Sequence, residues 1–178
     1  MPTQPNRTKE ATPNDVVMTL EKSAIKIIKH FQPEGSILEP CRGEGAFYNN
    51  FPNEDKDWCE ITEGKDFLYY DKKVDWIITN PPFSIFDTFL LHSLKYADNV
   101  VFFCPLNKVF KSIKLDKIIY EYGGIKEVVH MGTGGMHGFP FGFVVGCIYY
   151  KRGYRGPIEY TRMYNEEKNG YNTLEAFL

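Results

Sequence analysis

A chain of 178 residues is long enough to bury one sizeable core, and 43% hydrophobic with 25% charged residues is a globular composition. A net charge of −2 argues against a surface that is basic throughout, and so against tight, salt-driven duplex binding by the whole molecule. No apolar run approaches the ~20 residues of a membrane span, and the start of the chain lacks the apolar core of a signal peptide, so a cytoplasmic location is expected. The four cysteines at 41, 59, 104 and 147 have no metal-ligand spacing and read as reduced, mostly buried thiols.

Residues 1–11 are polar and proline-bearing and read as a loose arm. From Val17, the apolar positions Val17, Leu20, Ala24, Ile27, Ile28 and Phe31 follow helical spacing, and Gln32-Pro33-Glu34-Gly35 stops that helix. A short apolar strand at Ile37-Leu38-Glu39 then runs into the turn Pro40-Cys41-Arg42-Gly43-Glu44-Gly45 and a short helix ending before Pro52. Two glycines one residue apart let the backbone turn tightly and let a ligand approach the main chain. Trp58-Cys59-Glu60-Ile61 is the candidate second strand, and Val74–Thr79 is a buried strand.

That strand ends on Asn80-Pro81-Pro82-Phe83. The prolines fix φ and supply no donors, so nearby carbonyls stay free as acceptors. An amide oxygen, a free carbonyl and a ring suit a planar base with an exocyclic amino group. Ser84, with Asp87 three residues on, is placed to cap the next helix, whose buried stripe is Phe86, Phe89, Leu90 and Leu94. A strand at Val100–Cys104 follows, then a helix with Leu115, Ile118, Ile119 and Tyr122 on one face and Gly123-Gly124 as its stop. Ile125–Met131 and Phe143–Tyr150 form a final hairpin around the glycine-rich loop 132–142. Strands with intervening helices argue an α/β sheet covered on both faces, mostly parallel with one antiparallel strand.

Taken together, Glu39-Pro40-x-x-Gly43-x-Gly45-x-Phe47 and Asn80-Pro81-Pro82-Phe83 resemble the amino-methyltransferases that use S-adenosylmethionine, especially the N6-adenine DNA methyltransferases. The resemblance runs from about Thr12 to about Tyr150 and implies a Rossmann-like methyltransferase fold. It also implies a site. Gly43 and Gly45, with Glu39 and Pro40, would line the methionine part of the cofactor, and Thr12 would sit on the same side. Glu60 would hold the ribose hydroxyls, and Asp66-Phe67 the cofactor adenine. Asn80, Pro81, Pro82 and Phe83 would receive the target base. By the same resemblance the substrate is adenine N6 in DNA. The same turn also suits adenine in RNA or a protein glutamine. A catalytically silent subunit that keeps the fold and binds a partner is the alternative of another class, and the intact Asn80-Pro81-Pro82-Phe83 and Gly43-x-Gly45 argue against it. No metal is implied.

Two departures from the family accompany this reading. Only five residues separate Glu60 from Asp66, so the helix between them should be missing and the edge strand short or absent. Residues 84–178 are used up in completing the sheet, so the chain is expected to be a single catalytic domain without a target-recognition domain. Nucleic acid contacts would then fall to loops, and a dimer or an accessory recognition subunit would supply the rest. Lys108, Lys111, Lys114 and Lys117, and Lys151, Arg152, Arg155 and Arg162 with Tyr154 and Tyr160, are two candidate basic clusters. Phe139 and Phe141 in the glycine-rich loop suggest a mobile lid over a base, with His137 peripheral.

Overall fold

The computed structural model describes residues 17–164, and the polar arm at 1–11 lies outside them. Among the described residues, seven strands make one sheet in the order β2-β1-β3-β4-β6-β5-β7. They are β1 (Ile37–Glu39), β2 (Lys56–Trp58), β3 (Val74–Thr79), β4 (Ala97–Pro105), β5 (Gly123–Thr133), β6 (Val144–Arg152) and β7 (Glu159–Arg162). Only β6 runs antiparallel to its neighbours, so the mostly parallel sheet with one reversed strand is as the sequence implies. Helix α1 (Glu21–Phe31) covers one face through Ala24, Ile27 and Ile28, which pack with Ile78, Val101, Phe103 and Val129. Helices α2 (Phe86–Tyr96) and α3 (Ile113–Tyr122) cover the other through Phe86, Leu90, Leu94, Leu115 and Ile119. Both faces of β4 are therefore buried, which is why Val100–Cys104 reads as a continuous apolar run.

Several elements differ from the sequence reading. The second strand is Lys56–Trp58, because Glu60 turns back to bridge Lys65 instead of extending. The helix after the glycine turn is a single 3-10 turn at Tyr48–Asn50. Ser84 does not cap α2: a 3-10 turn at Phe83–Ile85 leads into the helix, whose N-cap is Ile85. Strand β7, parallel to β5, has no counterpart in the sequence reading. The shortened edge is as expected. Between β2 and β3 lie two 3-10 turns, Ile61–Glu63 and Phe67–Tyr69, and among the described residues no strand lies outside β2.

The topology places the motifs. From β1 the chain steps to β2 on one side and then to β3 on the other. At such a switch point, the loops leaving the carboxyl ends of the two central strands diverge and open a crevice. Those loops are the glycine turn after β1 and the Asn80-Pro81-Pro82-Phe83 turn after β3.

Candidate active site

The glycine turn is closed by the Gly45 N–H donating to the Arg42 carbonyl at 2.8 Å. Gly43 (φ 51°) and Gly45 (φ 86°) occupy left-handed backbone, and side chains there would collide with Met18 Sδ (3.0 Å) and Asn49 Nδ2 (2.8 Å). Glu39, the last residue of β1, is 2% exposed, and its Oε2 accepts the Tyr48 N–H at 2.6 Å. Burial pushes its pKa up to about 8, against the opposing effects of that hydrogen bond and of Arg42.

Glu60 is the opposite case. Its Oε2 accepts the Gly43 N–H at 2.8 Å, and its Oε1 accepts the Thr62 N–H at 3.2 Å and the Thr62 hydroxyl at 2.9 Å. Burial pushes its pKa up, but these hydrogen bonds outweigh it and hold the carboxyl below its usual range. The acid thus pins the glycine turn to the short hairpin 60–65. Arg42 reinforces the same joint, pairing with Glu63 while its guanidinium lies 3.9 Å over the Trp58 ring. Asp66 Oδ1 accepts the Leu68 N–H at 3.1 Å and begins the turn that carries Phe67, whose ring is buried against Phe89 and His92.

On the other wall, Asn80 Nδ2 donates to the Val17 carbonyl at 3.1 Å and to Thr19 Oγ1 at 3.3 Å. A carbonyl only accepts, so the amide orientation is fixed and Oδ1 is left as its acceptor side. The Cys41 thiol lies 2.9 Å from Thr79 Oγ1 and donates to the Asn80 carbonyl at 3.0 Å, stitching the two turns together. Phe83 stacks on Phe139 (centroids 5.9 Å) and leans on Phe141 (6.2 Å).

Between the two turns lies a cavity of about 350 Å³. Of the residues singled out in the sequence, Glu39, Pro40, Gly43, Glu60, Asp66, Phe67, Asn80 and Pro82 line it. Gly45, Pro81 and Phe83 are not among its lining residues, and Thr12 lies outside the described residues. Sequence reasoning missed Val17, Met18, Thr19, Cys41 and Arg42, which also line the cavity. The Asn80 contact with Val17 is a tertiary pairing across 63 positions, for which no local pattern exists.

The glycine-rich loop is not the mobile lid its composition suggests. Phe139 is 4% exposed and packs on Phe103, while His137 accepts from the Ser23 hydroxyl and donates to the Met131 carbonyl, both at 2.8 Å. Burial lowers the His137 pKa, in keeping with a neutral ring that fastens the loop to α1. The second basic cluster is largely committed to the fold: Arg152 pairs with Asp98 at 2.6 Å, and Arg155 donates to the Gly123 carbonyl. Among the described residues no group of acids, histidines and cysteines is arranged to hold a metal ion.

No family model matches the chain, and no curated protein matches it in sequence. Solved structures do. A Vibrio vulnificus protein described as a modification subunit of a type I restriction enzyme is similar with a TM-score of 0.64 at 13% identity, over 93% of this chain and 50% of that one. A Listeria monocytogenes protein described as a class I S-adenosylmethionine-dependent methyltransferase gives 0.62 at 13% identity, over 86% and 68%. The 23S rRNA methyltransferase ErmE gives 0.59 at 13% identity, over 79% and 73%. This chain thus spans half the length of the Vibrio protein. At such identities the likeness is one of architecture, and the architecture is the α/β methyltransferase fold.

Proposed function

We propose that this chain, as a single catalytic domain, transfers a methyl group from S-adenosylmethionine to the N6 amino group of adenine in DNA. The residues present suit that cofactor. The cavity offers an ionised acid, Glu60, and a second acid, Asp66, at its rim for hydroxyl and amino donors. Phe67, Ile85 and Phe89 supply apolar wall, and the bare backbone at Gly43 lets a ligand lie against the main chain. Glu39, buried among them, suits a cationic amino group, which would draw its proton off. When bound, S-adenosylmethionine supplies a methyl group on a positively charged sulfur.

The single observation that carries the catalytic part is the fixed amide of Asn80. Its Nδ2 is held by Val17 and Thr19, so Oδ1 is the acceptor offered to a substrate amino group. Oδ1 and the Pro81 carbonyl accept the two N–H bonds of that amine, which pushes electron density onto its nitrogen and aims the lone pair into the cavity. Phe83, braced by Phe139, covers the face of the base. Catalysis would then be positioning and charge complementarity, without a general base: as the N–C bond forms the methyl's S–C bond breaks, and the surplus proton on the methylated nitrogen passes to water. The target adenine leaves its stack to reach the turn. Further partners would be a second copy of the chain or an accessory subunit that adds sequence recognition.

The test is incubation with methyl-labelled cofactor and separate DNA, RNA and protein substrates, followed by digestion and product identification. N6-methyladenine in DNA is expected, and Asn80→Ala should abolish transfer with cofactor affinity changed less than about threefold, well under 1 kcal/mol. N4-methylcytosine as product would overturn the base assignment and leave the turn's chemistry standing. Label only in RNA or protein would move the substrate class. Lack of cofactor binding by the unaltered chain would refute the reading as a whole.

A further inference from the structure

The connection from β4 into the first turn of α3 reads Lys108-Val109-Phe110-Lys111-Ser112-Ile113-Lys114. Two of its large apolar side chains stand in solvent: Phe110 is 74% exposed and Ile113 78%. They are the two most exposed large apolar side chains among the described residues, and they lie three positions apart. The loop is not slack. Lys111 Nζ pairs with Asp87 Oδ1 at 2.7 Å, Lys108 Nζ lies 5.6 Å over the Phe86 ring, and Ser112 Oγ accepts the Leu115 N–H at 3.2 Å to cap α3. Asp87 and Phe86 open α2, directly after the Asn80-Pro81-Pro82-Phe83 turn. Phe110 is thus presented on an anchored tip beside the catalytic turn, at the carboxyl end of the strand adjacent to β3.

Lysines at 108, 111 and 114 bracket the two apolar side chains. Lys111 is partly neutralised by Asp87 and Lys108 lies half-buried over Phe86, while Asp116 is the acid on the first turn of α3; Lys114 and Lys117 are the exposed cations beside the two apolar side chains. Apolar side chains between cations suit a surface that is anionic outside and aromatic within, which is a DNA duplex opened at one step. A base that swings into a pocket leaves a gap in the stack, and a rigid aromatic ring can fill it.

We propose that Phe110 is the wedge that enters the duplex where the target base leaves, with Ile113 beside it and Lys114 on a flanking phosphate. This inference rests on the methyl-transfer reading of the neighbouring turn. The wedge acts only where there is a stack to hold open, so its removal must weigh on duplex DNA more than on a single strand.

The full chain and Phe110→Ala are compared for methyl transfer to a duplex and to the same strand unpaired. In parallel, a duplex with 2-aminopurine at the target position reports unstacking by fluorescence. The ratio of duplex to single-strand transfer should fall at least tenfold in Phe110→Ala, the fluorescence rise on binding should be lost, and Phe110→Trp should restore both. An unchanged ratio, or a fluorescence rise that survives in Phe110→Ala, overturns the wedge while leaving methyl transfer intact. Absence of transfer to either substrate by the unaltered chain refutes the underlying function instead, and the fluorescence of the bound duplex then decides the wedge alone. If sedimentation shows that Phe110→Ala splits a self-associated chain, with DNA opening unaffected, the surface is a protein interface and the proposal falls.

Discussion

Replacing Glu39 by glutamine should remove a steep fall of stability with pH. The folded protein holds the Glu39 carboxyl near a pKa of about 8, against 4.5 for an unperturbed glutamate, because burial disfavours its charge. Between those values the folded chain keeps a proton that the unfolded chain has lost. Stability then drops by ~1.4 kcal/mol per pH unit. The stabilising contribution is complete below about pH 4.5, declines through the neutral range and is gone above about pH 8. From pH 5 to pH 7.5 the wild-type chain should lose ~3 kcal/mol from this group alone. The Glu39→Gln side chain would keep an acceptor for the Tyr48 N–H and have no carboxyl to titrate, so the variant's profile should lack that component. Urea unfolding of the cofactor-free protein at both pH values measures it. With a slope of ~2 kcal/mol per molar urea, the gap between the two midpoints should change by about 1.5 M. Parallel pH profiles for the two chains would mean that Glu39 is ionised in the fold and that the reasoning from burial is wrong.

Asp66→Ala should weaken S-adenosylmethionine binding by about tenfold or more, as the loss of one ligand hydrogen bond costs ~1–3 kcal/mol. Calorimetry measures this, and unchanged affinity would remove Asp66 from the cofactor contacts. Gly45→Ala should lower stability by roughly 1–3 kcal/mol, since the position is left-handed and a Cβ would stand 2.8 Å from Asn49 Nδ2. A denaturation midpoint equal to that of the wild type would show that the turn relaxes freely.

The sequence is most legible where burial is two-sided or a rigid residue ends the element. Val74–Thr79 is recovered with its bounds because the run is apolar and Pro81-Pro82 stop it. The stripe Phe86, Phe89, Leu90 and Leu94 is buried as helical spacing requires. The start of that helix is not legible, because Ser84 and Asp87 have capping-box spacing but the chain prefers a 3-10 turn out of the prolines. Strand β7 leaves no trace because its four residues are mostly exposed and pair only with β5. Phe139 reads as a lid residue because glycine content reports local freedom, whereas its burial comes from Phe83 and Phe103, which other parts of the chain supply. In the site, the chemistry-bearing acids and Asn80 are visible as motifs. The parts that orient them are not: Val17 reaches Asn80, and Cys41 reaches Thr79, by folding alone.

The curtailed edge of the sheet also bears on how molecules of this protein can associate. An open edge strand is a template for another chain's backbone, and proteins blunt such edges by shortening them or lining them with charge. Strand β2 does both: it is three residues long, and its Trp58 ring carries the Arg42 guanidinium at 3.9 Å and the Lys65 ammonium at 3.6 Å. The cations around the hairpin at 60–65 therefore also screen the sheet from growing past β2. Among the described residues the other edge is β7, a short strand with Glu159 at one end, Arg162 at the other and Tyr160 exposed between them. Among the described residues, strand-to-strand polymerisation therefore has a poor foothold at either edge of the sheet.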